Sequence, residues 1–162
     1  MEYFNQQSGL ILYKTTLIGH KSGRLEITEP HDLAFVYLNG HLIDTVNRDG
    51  GRWKINIPKS DNENPVLEIL VEAMGRINYG ADMTDRKGIT DRVTLNGMTL
   101  MDWEIFPLPL DEKFVTALKP TYPEGYRNGI FFNAIFVLDN LGDTYLDMQH
   151  FKKGILWLNV HN

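Results

Sequence analysis

The sequence predicts an all-β sandwich, on three observations. Short apolar segments are broken by Gly, Pro, Asn and Asp roughly every 8–12 residues, the spacing of short strands joined by turns. Two Asn-Gly pairs, Asn39-Gly40 and Asn96-Gly97, each separate two apolar runs. That is a strong hairpin signal, because both central residues of a type I′ turn need positive φ. The chain also lacks a long amphipathic helical pattern, an internal repeat or a low-complexity tract.

The elements follow in order. Residues 9–17 form a strand rich in β-formers, and 24–28 a second with Leu25 and Ile27 on one face and Glu26 on the other. Residues 33–38 and 41–46 pair across Asn39-Gly40. Asp49-Gly50-Gly51 turns the chain into 53–57, a period-two strand stopped by Pro58. After a polar loop, 66–73 reads as a central strand, apolar except for Glu68 and Glu72. Residues 81–88 are charged and loop-like, and 91–95 and 98–106 make the second Asn-Gly hairpin. The proline-rich stretch 108–127 is a connector, with one or two helical turns over 111–118 capped by Asp111. A further strand set is expected at 129–138, 144–148 and 154–160. The domain division is a sandwich over 9–108, a connector over 109–128 and a partial second β-domain over 129–162.

Composition narrows the function. The chain has 162 residues, 43% hydrophobic, with a formal charge of −5. Its Lys and Arg are scattered, so no basic face is offered to nucleic acid. With no cysteine, neither a disulfide framework nor a thiolate metal site is available. No apolar run reaches the roughly 18 residues needed to cross a bilayer, and no signal peptide precedes Gly9. No nucleic-acid or membrane partner is expected. A (β/α)₈ barrel needs roughly 250 residues, so that catalytic fold does not fit.

The run from Leu70 through Val71, Glu72, Gly75, Arg76, Asn78 and Tyr79 to Gly80 resembles the LVE-x-x-GR-x-NYG signature in the C-terminal β-domains of family 35 β-galactosidases. Four further stretches fall in the same order as the family's motifs: Gly9 to Thr15, Asp32 to Gly40, Lys87-Gly88-Ile89 and Trp103 to Leu108. Each is weak alone; in sequence they are specific. Asp143 to Met148 and Lys153 to Asn159 resemble the start of the family's next β-domain, although Val160 replaces a turn glycine. The resemblance implies a jelly-roll (galactose-binding-domain-like) sandwich. It also implies a parent enzyme, periplasmic or secreted, that removes terminal β-galactose with glutamates on a separate catalytic barrel. Any targeting segment is then expected outside this chain.

Candidate contact residues are Arg76, Asn78, Tyr79 and Trp53, for carbohydrate or for an interdomain surface. Arg76 and Asn78 have a competing structural reading, pairing with Glu72 or a nearby Asp and tying down the turn. Trp103 and Trp157 lie in alternating strands and suit the core better than a sugar platform, whereas Trp53 opens a strand and is expected to be partly exposed. Glu68 and Glu72, four apart on a strand, are separated by about 13 Å and cannot flank one glycosidic bond. Asp82, Asp85 and Asp91 offer Ca²⁺ ligands without an EF-hand spacing, and the dispersed histidines make no metal motif. No catalytic residue, metal site or cofactor is assigned.

The expected role is a non-catalytic accessory domain that buttresses the barrel and shapes the substrate entrance. A free-standing galactoside-binding module and a purely structural or assembly domain are the alternatives. The unpaired strands expected over 129–160 also suggest a homodimer through that segment.

Overall fold

Eleven strands, one short α-helix and two 3-10 turns (Glu2–Phe4 and Arg48–Gly50) form in the computed structural model, which describes residues 1–51, 53–119, 131–140, 142–151 and 153–159. The strands are β1 (Gly9–Thr16), β2 (Gly23–Ile27), β3 (Pro30–His31), β4 (Leu33–Leu38), β5 (His41–Asn47), β6 (Lys54–Ile57), β7 (Val66–Ala73), β8 (Gly88–Ile89), β9 (Val93–Leu95), β10 (Met98–Thr99) and β11 (Glu104–Leu108). One antiparallel sheet has the order β11-β1-β7-β4-β5 and a second the order β10-β9-β2-β6, while β3 and β8 pair separately. The central position expected for the 66–73 strand is realised, since β7 runs between β1 and β4.

Alternation explains the layering. Ile11 on β1, Val36 on β4 and Leu67, Ile69 and Val71 on β7 point inward, against Leu25, Ile27, Ile55, Ile57, Val93 and Leu95 from the other sheet. These residues form one continuous core, so the two sheets make a sandwich. Both Asn-Gly turns adopt the conformation their chemistry favours: φ is 51° and 77° at Asn39 and Gly40, and 51° and 83° at Asn96 and Gly97.

Three expectations need correction. The 98–106 run is not one strand: β10 stays in the smaller sheet, and the chain crosses at residues 100–103 to give β11 to the larger one. The crossover includes Asp102 with φ of 56°. Second, the strand expected to stop at 106 continues through Pro107 to Leu108, which is tolerated because β11 is an edge strand. Third, among the described residues 131–138 and 144–148 contain no strand, and 154–159 contributes only an isolated bridge at Leu158. Among the described residues this alternating sequence finds no ladder beyond that bridge, and a strand exists only through its ladder. Residues 129, 130 and 160–162 of the expected second set lie outside the described residues. The helix expected near 111–118 is present as α1 (Glu112–Ala117), with the Asp111 carboxylate accepting from the Phe114 N–H at 2.8 Å.

Candidate functional site

The densest polar constellation lies where β3, the start of β4 and the 74–88 loop meet. Pairing of β3 with β8 sets His31 opposite Gly88, which brings Asp32 beside Lys87. Only glycine suits position 88: its φ is +96°, and a Cβ there would lie 2.5 Å from the Tyr13 Oη. That hydroxyl accepts a hydrogen bond from the Ile89 N–H at 3.1 Å.

Lys87 Nζ lies 2.6 Å from Asp32 Oδ2 and 2.7 Å from Asp85 Oδ2. Arg48 Nη1 bridges the same aspartates from the other side, at 3.1 Å from Asp32 Oδ1 and 2.6 Å from Asp85 Oδ1. The side chains of Lys87 and Asp85 are each 1% exposed. Backbone N–H groups add to the cage: Met74 donates to Asp32 Oδ2 at 2.9 Å and Ile77 to Asp85 Oδ2 at 3.3 Å. Arg76 donates to the Asp85 carbonyl at 2.8 Å, to Glu2 Oε1 at 2.7 Å and to the Gln7 carbonyl at 3.1 Å. The buried Asp32 and Asp85 are thus matched by Lys87 and Arg48, which is what makes their charge tolerable, while the more exposed Glu2 pairs with Arg76.

The electrostatics fix the protonation states. Burial alone would raise the Asp32 carboxyl, but the hydrogen bonds from Lys87, the Met74 N–H and Arg48 outweigh it and hold it below the ordinary range. Asp85 is held further down in the same way, against burial, by Lys87, Arg48 and the Ile77 N–H. Burial likewise opposes the shift at Glu2, whose own N–H, Arg76 and the Lys87 N–H bring it to about 2. These carboxylates stay ionised at neutral pH and their lone pairs are taken. The cluster clamps the 74–88 loop to the sandwich.

The sequence-designated residues distribute around this clamp. Arg76 is part of it, but with Glu2 and Asp85 as partners; Glu72 is instead paired with Lys153 at 2.9 Å. Asn78 is exposed and Tyr79 is 89% exposed, so the clamped loop presents both to solvent. Trp53 is half-buried against the core, with its indole N–H donating to the Arg48 carbonyl at 3.4 Å. Trp103 also packs on the core, edge-on to Tyr13. Trp157 does not join that core; its ring is tilted against Phe131 and its indole N–H donates to the Leu110 carbonyl at 3.2 Å. The Ca²⁺ reading fails for Asp85, whose oxygens are committed to two cations, and the described residues hold no group of acids and histidines suited to a metal. A shallow cavity between the end of β1 and the β10–β11 crossover is lined by Lys14, His20, Met98 and Glu104, with none of the designated residues.

Sequence reasoning missed Asp32, Arg48, Asp85 and Lys87 as a unit. The 81–88 stretch reads as a solvated charged loop, and nothing local distinguishes a paired Asp from a hydrated one. The available signal was Lys87-Gly88-Ile89, a glycine ahead of a β-former at the end of a polar loop.

Residues 1–109 match the family described as beta-galactosidase, first all-beta domain. The chain belongs to that family. As a member of the first all-beta domain family, it is 35% identical over 165 residues to a beta-galactosidase of Xanthomonas manihotis, covering all of this chain and 27% of that protein. It is 30% identical over 185 residues to beta-galactosidase 1 of Dictyostelium discoideum, again covering all of this chain and 27% of the relative. The beta-galactosidase of Homo sapiens is 29% identical over 181 residues, with 97% of this chain and 26% of that protein covered. The chain therefore spans about a quarter of the length of these relatives.

Proposed function

We propose that this chain is a non-catalytic accessory domain of a family 35 β-galactosidase, placed C-terminal to a catalytic barrel. The observation that carries the reading is the family match over residues 1–109, in a chain spanning about a quarter of its beta-galactosidase relatives. The motif sequence from Gly9 to Leu108 supports the assignment to family 35. The chemistry agrees: glycoside hydrolysis with retention needs one carboxyl held protonated as general acid, whereas Asp32 and Asp85 are held ionised by Lys87 and Arg48.

In this role the parent enzyme hydrolyses terminal β-galactosides on its barrel, and the sandwich buttresses that barrel. The clamped loop supplies the contact surface: Arg76 fixes the turn, and Asn78 and Tyr79 project from it toward the barrel or the substrate entrance. Chain alone should leave a nitrophenyl β-galactoside uncleaved; turnover that co-purifies with it through successive columns would refute the reading. In the enzyme containing this domain, Tyr79→Ala should raise KM for galactosides with little change in kcat. The exposed Tyr79 ring also suits a galactoside-binding module. Titration with galactose and lactose separates the two: a saturable signal lost in Tyr79→Ala or Trp53→Ala supports the module, and no signal supports the accessory role.

A further inference from the structure

We propose that the outer face of the five-stranded sheet is a docking surface for the chain's own 131–159 segment, anchored by Lys153 on Glu72. An antiparallel sheet with one face in water is expected to carry polar side chains there. Here the register places Phe106, Leu12, Leu70 and Phe35 side by side, an unbroken apolar row across β11, β1, β7 and β4. Leu10 and Leu33 flank Glu72 in the adjacent row. All six lie outside the core cluster; Leu10, Leu12, Leu33, Phe35 and Leu70 are half-buried, and Phe106 on the edge strand is 43% exposed. This apolar strip, bounded in the next row by Glu104, Lys14 and Glu68, suits an interaction surface better than a solvated one.

The occupant is indicated by two contacts. Lys153 Nζ reaches Glu72 Oε2, on this same outer face, at 2.9 Å. The Trp157 indole N–H donates to the Leu110 carbonyl at 3.2 Å, just beyond the end of β11. The segment carrying both residues is itself rich in uncovered apolar side chains, among them Phe132, Val137, Tyr145 and Ile135, the last 92% exposed. A half-buried apolar strip and an exposed apolar segment thus belong to one polypeptide and already touch through an ion pair. Covalent attachment gives the segment a local concentration of order mM at the sheet, which a second copy reaches only at comparable bulk concentration. The own segment therefore outcompetes a homodimer at ordinary concentrations. The proposal stands apart from the galactosidase reading, and either can fail alone.

Zero-length carbodiimide coupling of the full chain tests it, because it joins a carboxylate to an amine only in direct contact. Mixed light and ¹⁵N-labelled chains, followed by peptide mass spectrometry, distinguish links within a chain from links between chains. The expected result is a Glu72–Lys153 amide within single chains, with yield falling about fivefold when a charge is set into the apolar row by Leu12→Glu. Phe106→Asp, on the edge strand and already part-exposed, should act in the same direction and serves if Leu12→Glu does not fold. Links chiefly between light and heavy chains would assign the face to a second copy and overturn the proposal. Absence of the link, or a yield unchanged in the folded variants, would overturn it equally.

Discussion

Lys87 is the residue on which the local electrostatics turn. Its ammonium is the shared partner of two buried aspartates, so removing it strands both charges rather than one. Breaking a buried pair costs far more than the pair contributes relative to an apolar substitute, because the remaining ion has lost its hydration without recompense. Lys87→Met should therefore lower unfolding stability by about 3–5 kcal/mol, read as a drop in the urea midpoint. Arg48→Met should cost less, because Arg48 is more exposed and Lys87 would still hold both carboxylates.

At the scale of elements, β7 shows how one strand serves two surfaces. Ile69 faces the core and is fully buried, while its neighbour Leu70 faces outward and is half-buried. Ile69→Ala should cost about 2–5 kcal/mol through lost transfer energy and a cavity. Leu70→Ala should cost less than half of that, and parallel denaturant titrations of the two variants check the assigned register. The β4–β5 turn makes a separate prediction. Asn39 holds φ of 51°, and its side chain accepts from the Val66 N–H at 2.9 Å and donates to Ser60 Oγ at 2.9 Å. Asn39→Ala loses those bonds and the residue type that tolerates left-handed backbone, at a cost of about 1–2 kcal/mol. For a chain of this size that lowers Tm by very roughly 2–8 °C, measurable by circular dichroism.

For the whole molecule, the clamp predicts how stability responds to acid. Asp32, Asp85 and Glu2 all have carboxyls depressed in the folded state, so each binds protons more readily when unfolded. Their contribution is fully present above the ordinary carboxylate values of 3.8 and 4.5 and is lost as pH falls through the folded values, which for Glu2 is about 2. The urea midpoint should thus be insensitive to these groups at neutral pH and decline below about pH 4.5. In Lys87→Met the decline should be shallower, because Asp32 and Asp85 are then less strongly depressed. An unchanged acid slope in that variant would show that the cluster does not govern acid unfolding.

Strand alternation, the two Asn-Gly turns and the Asp111 cap were readable because each depends on a few adjacent residues: side-chain period, positive φ, one carboxylate three residues from an N–H. On those the sequence alone determined the fold class, the central strand and the shared face of Leu25 and Ile27. The crossing of the chain between β10 and β11 was not readable, since both halves alternate alike and only the competition between two sheet edges assigns them. The strands expected after residue 129 do not form among the described residues for a related reason: alternation supplies a face but not a partner. The clamp of Asp32, Arg48, Asp85 and Lys87 was hidden for the same cause in electrostatic form. Asp32 meets Lys87 across 55 positions and Arg48 meets Asp85 across 37, and only the tertiary structure brings those pairs within 3 Å of each other.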